Sequence, residues 1–172
     1  MEGEGMRAVE VMLRGGFVMV LAAAGFQDIK EHRIHISIFI IFGTVGTVLR
    51  GTQLIIELKA LAPFFGGADL WLFAGKRLLD IASAVAVGGA LLAVSAATGE
   101  AVGMADGYFF VVSGLYLGLI RNILLLCGGL FFCFVVCSIL LVIGICRGRN
   151  VRKIRIPFLP FLIPAGIGVM LL

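Results

Sequence analysis

The sequence predicts an all-α, polytopic membrane protein with about six transmembrane helices and one amphipathic interfacial segment, in a single membrane-embedded domain over residues 1–172. Three observations carry this. The chain is 61% hydrophobic and only 14% charged, whereas a soluble domain is about half apolar and a quarter charged. Its mean hydropathy is +1.15. Several apolar runs approach the roughly 20 residues that cross a bilayer as helix. The runs are continuous rather than alternating, which argues against a β-barrel. The net charge of +4 suits basic loops at an anionic membrane face. The basic residues are scattered or lie between spans, a pattern that does not suggest nucleic-acid binding. The opening MEGEGMRAVEVMLRGG lacks a small-residue cleavage site after a compact apolar core, so it reads as the approach to a first membrane helix.

The first span covers residues 9–27. Glu10 and Arg14 stand i,i+4 at its entrance with the acid N-terminal, the favourable order for a helical ion pair. A short polar stretch, 28–33, leads to a second span over 34–49. Residues 50–77 mix Glu57, Lys59, Asp69, Lys76 and Arg77 with apolar residues and a glycine pair. They are expected to form an amphipathic helix at the interface and a turn over 63–67, with Trp71 as interface anchor. The third span, 78–98, is rich in Ala, Gly and Ser, which let membrane helices approach closely. The fourth, 101–120, stops where Arg121 and Asn122 break the run. The fifth covers 123–146. The last, 156–172, carries Pro157, Pro160 and Pro164 and should start irregularly or kink.

An even number of spans puts both termini on one side. The densest basic cluster, 147–155, has five Lys or Arg in nine residues, and short basic loops stay cytoplasmic. The 28–33 and 99–106 loops then lie inside and both termini outside. Arg50, Lys59, Lys76 and Arg77 run against the rule on the outer side. All four cysteines, Cys127, Cys133, Cys137 and Cys146, fall in one apolar run. Cys133 and Cys137 share a helix face, but without a CxxC or a His companion they read as small apolar filler rather than as a metal pair.

This topology brings Asp28 and Asp106 to the same membrane face. A carboxylate at the edge of hydrocarbon is costly, and two held together share a proton. One can then take a proton from water while the other donates to a peptide carbonyl, with no metal or cofactor needed. Gly103 and Gly107 remove side chains beside Asp106, so an extended substrate backbone could approach it. The alternative is that Asp106 simply caps the fourth helix. Asp69, Asp80 and Glu100 rank below this pair. His32 and His35 read as loop or headgroup residues, and Lys30 and Arg33 as contacts to lipid phosphate.

Three stretches occur in a telling order. Asp28-Ile29-Lys30-Glu31-His32-Arg33-Ile34 is an acid at a helix end followed by a short basic loop. Gly103-Met104-Ala105-Asp106 approximates Gly-x-Gly-Asp. Ile156-Pro157-Phe158-Leu159-Pro160-Phe161 approximates Pro-Phe-x-Pro-Phe before a last helix. In these the chain resembles, over most of its length, the type IV prepilin peptidases, leader peptidases of the GxGD aspartic protease class. It is similar to their short form, without the cytoplasmic CxxC region of the larger methylating relatives. Ala105 stands in place of the second motif glycine, Tyr108 where a lysine is common, and His35 and Ile36 in place of Pro-Asn. The resemblance implies catalytic roles for Asp28 and Asp106. With it, Gly103, Ala105, Gly107 and Lys30 are expected to line the substrate. The implied partners are a prepilin or pseudopilin helix and membrane lipid, with self-association open. The implied location is the bacterial or archaeal plasma membrane, with the site toward the cytoplasm. A small proton- or cation-coupled carrier or channel and an inactive assembly scaffold are the rival readings.

Overall fold

A computed structural model describes residues 2–31, 35–99, 103–146 and 158–171. His32, Arg33, Ile34, Glu100, the basic cluster 147–155, Ile156 and Pro157 lie outside the described residues. The rest forms six helices: α1 (Glu2–Glu31), α2 (Ile36–Leu61), α3 (Gly67–Ala97), α4 (Met104–Leu117), α5 (Leu119–Cys146) and α6 (Leu159–Leu171). Four of them, α1, α2, α3 and α5, hold stretches long and apolar enough to cross a membrane, and α4 and α6 are shorter apolar helices. The protein is thus an all-α, multi-spanning membrane protein.

Several boundaries differ from those expected. Residues 28–31 are the last turn of α1 rather than a loop. Residues 50–61 continue α2, and 67–77 open α3, so no separate amphipathic helix forms. The turn is where Pro63 and Gly66 suggested, between Leu61 and Gly67. The helix continues past Leu49 because its polar residues satisfy one another along and across helices. Gln53 Nε2 donates to Glu57 Oε1 at 3.2 Å, and Arg77 of α3 pairs with Glu57 at 2.9 Å. Glu10 and Arg14 form the expected pair at 2.8 Å. In α6, Pro160 sits in the first turn, where its missing N–H costs nothing, whereas Pro164 lies inside the helix and leaves one upstream carbonyl without its helical donor.

The closest packing joins α3 to α4. Small residues make it possible, because without side chains two backbones can touch. A β-carbon on Gly88 would fall on the backbone nitrogen of Val111, and one on Gly114 would fall on the carbonyl oxygen of Ala84. The Tyr116 ring lies between Gly16 of α1, where a β-carbon would come within 2.5 Å of it, and Gly46 of α2. Its hydroxyl donates to the Phe42 carbonyl at 2.7 Å. The α4–α5 corner is Gly118 alone, at φ +79°, a conformation that favours glycine.

Asn122 was expected to help end a span. It is instead buried one turn into α5, the helix break having come at Gly118. Its Nδ2 donates to the carbonyls of Ala84 and Phe110, both at 3.0 Å. Its Oδ1 accepts from the Ser113 hydroxyl at 2.7 Å. One amide therefore ties α3, α4 and α5 together with every polar atom satisfied, the condition for burying it at all.

These contacts set the helices in a staggered register. Arg50 of α2 is level with Leu115 and Tyr116 at the end of α4. The remainder of α2 runs past the α4–α5 corner by about 16 Å at 1.5 Å per residue.

Two predictions follow from this packing. Gly88→Ala should destabilise the protein by about 1–3 kcal/mol, the usual cost of overpacking. Gly89→Ala, which meets nothing within 4 Å, should be neutral or slightly stabilising; thermal unfolding in detergent compares the two. Asn122→Leu removes three buried hydrogen bonds and should cost about 1–2 kcal/mol in the same assay, with Asn122→Asp recovering only part of it.

Candidate active site

The C-terminal end of α1, the N-terminal ends of α2, α4 and α6 and the C-terminal end of α3 share one end of the bundle, as alternating helix directions require. Asp28 reaches it in the last turn of α1. Beside it, the Gln27 side chain ties the end of α1 to the residue before α2, its Oε1 accepting from the backbone N–H of His35 at 3.2 Å. Asp106 is in the first turn of α4. The two acids come near enough for their charges to interact. Both are partly buried.

Each acid also meets a helix N-terminus. Asp28 Oδ2 accepts from the backbone N–H of Leu159, the first residue of α6, at 3.3 Å. That N–H is one of the four that a helix start leaves unpaired. Asp106 is the third residue of α4. The capping position itself belongs to Gly103, whose carbonyl accepts the Asp106 N–H at 3.1 Å and which receives no side-chain bond. Asp106 is therefore not the helix cap. The positive ends of two helix dipoles favour negative charge here, which offsets part of the repulsion between the acids.

The remaining expected site residues divide. Gly103 is exposed beside the acid, and a β-carbon there would stand 3.1 Å from Asp106 Oδ2, so its bareness leaves the carboxylate approachable. Gly107 is buried, and a β-carbon on it would come within 2.6 Å of Leu92. Its lack of a side chain admits α3, and it presents no open surface beside Asp106. Ala105 is helical and packs against the core, so this position does not need the left-handed backbone that would tax alanine. Lys30 is exposed in the last turn of α1. Tyr108, two residues after the acid, stacks on Phe39 with ring centroids 6.2 Å apart.

Two neighbours of the acids were not foreseen. The Leu159 amide could not be read from side-chain types. Cys133 of α5 comes within electrostatic range of Asp106, and its Sγ stands 3.9 Å from that of Cys137. Among the described residues no group of three His, Cys, Asp or Glu side chains is placed to hold a metal ion. Asp80 is exposed toward the other end of the bundle, on the cavity that also holds Arg50 and Arg77.

Comparison of the chain with protein-family models, with curated proteins and with solved structures finds no match.

Proposed function

We propose that the protein is a membrane-embedded aspartic endopeptidase that removes the short basic leader of type IV prepilins, pseudopilins or preflagellins at the cytoplasmic face of the plasma membrane. The observation that carries the reading is the approach of Asp28 to Asp106. They come from helices distant in sequence, at the end where Gly103 leaves Asp106 open. The motif resemblance around the same two residues supports it.

In this reading the acids hold one proton between them. The ionised carboxylate takes a proton from water, and the water oxygen bonds to the scissile carbonyl carbon. The protonated carboxyl gives its proton to the carbonyl oxygen. The tetrahedral intermediate then collapses: the C–N bond breaks, the departing nitrogen receives the proton first taken from water, and one hydroxyl of the intermediate returns its proton to the other carboxylate as the new acid forms, which restores the shared proton. Each acid is needed in one ionisation state, so the rate should be bell-shaped in pH.

Co-expression with a candidate prepilin tests the reading. The intact protein should yield a shorter product on a gel. Asp28→Asn and Asp106→Asn should each lower cleavage by roughly 10²–10⁴-fold or more, the range for losing a general acid or base, while both variants still insert. Full processing by either variant, or none by the intact protein with any candidate, would overturn it.

A further inference from the structure

Two thiols halfway along α5 have no part in the peptidase reading. Cys133 and Cys137 stand four apart on one face of the helix, where side chains are neighbours, and their sulfurs are 3.9 Å apart. Both are partly buried. Neither belongs to the buried core or to the side chains packed on it, so the filler role that the sequence suggests does not account for them.

The pair has a defined place in the fold. Gly129, four residues before Cys133, lies on the same face, and a β-carbon on it would come within 2.2 Å of the Leu162 side chain. That face of α5 therefore points at α6. The two helices are antiparallel, since Gly128 meets Ala165 and Gly129 meets Leu162 and Phe158. Cys133 and Cys137 are about 6 and 12 Å further along α5 at 1.5 Å per residue. They reach the level at which α6 begins, at Leu159, and pass it.

A disulfide fits this pair poorly. Side chains four apart on a helix have β-carbons about 5–6 Å apart, whereas a disulfide needs about 3.5–4.5 Å. An ion between the sulfurs needs no such closure. At metal–sulfur bonds of about 2.3 Å, sulfurs 3.9 Å apart hold one ion in a bent bridge, and rotation about the two Cα–Cβ bonds straightens it. Thiolate sulfur is a soft donor that selects Cu(I), Zn(II) or an iron–sulfur cluster. Zn(II) in a closed site and the clusters take four ligands. Among the described residues no third His, Cys, Asp or Glu is placed to join the pair. Cu(I) is satisfied by two sulfurs.

We propose that Cys133 and Cys137 bind one Cu(I) ion between their sulfurs, at the level of α5 where α6 begins. The ion displaces the two thiol protons, which pass to water, and no electron is transferred. The site is independent of the peptidase reading.

The test uses the full chain in detergent, reduced and kept free of oxygen. It is titrated with Cu(I) against a coloured bidentate Cu(I) chelator, whose absorbance reports the transfer. The intact chain and a Cys127→Ser/Cys146→Ser variant, in which the pair supplies the only thiols, should each retain one tightly bound Cu(I), with a thiolate-to-metal charge-transfer absorption in the ultraviolet. Adding Cys133→Ser or Cys137→Ser should weaken retention by about a hundredfold or more and remove that absorption, because changes outside the ligands alone cost about 10–100-fold. Cys133→Met keeps a soft sulfur donor and should recover part of the retention. Both positions lie outside the core, so circular dichroism of these variants should be unchanged. Retention as tight after Cys133→Ser or Cys137→Ser, one ion shared by two chains, or Zn(II) held as tightly as Cu(I) would overturn the proposal.

Discussion

The position of α4 depends on what is missing from α3 and from α4 itself. Gly88 and Gly114 let backbone meet backbone, so the two helices approach as closely as helices can. In a bilayer no hydrophobic force drives helices together, and such contact, with its dispersion energy, is what remains. Once α4 is seated, much else is set. Tyr116 falls between Gly16 and Gly46, Ser113 meets Asn122, and the first turn of α4 carries Asp106 to the end where Asp28 arrives. The acids come within range of one another's charge through this packing.

The two ends of the bundle solve opposite electrostatic problems. At one end two negative groups gather where helices begin, and peptide dipoles help hold them. At the other, Arg50 and Arg77 gather with Glu57 and Asp80 beside the corner where α4 ends and α5 begins. Carbonyls stabilise Arg50 there, but the start of α5 repels Arg121.

Much of this was legible in the sequence, for identifiable reasons. Fold class and most spans follow from hydropathy, which depends only on composition in a window. Asp28 and Asp106 stood out because an acid in so apolar a chain is expensive. What stayed hidden depends on a partner helix. Arg50 looked like a misplaced interface charge until the end of α4 supplied carbonyls for it. Asn122 looked like a helix breaker until Ala84, Phe110 and Ser113 satisfied it. Glycine was the hardest residue to read. Gly103 leaves space at an acid and Gly107 makes space for Leu92, yet the two have the same residue type and sit four apart.

The one-residue joint at Gly118 leaves no slack between α4 and α5. The buried amide of Asn122 locks that hairpin further onto α3. These three helices therefore behave as a single stiff block, and Asp106 is fixed to it. Asp28 belongs to α1, and its carboxylate accepts a hydrogen bond from the start of α6. In the peptidase reading, a guest that parts the acids has to shift α1 and α6 against this block.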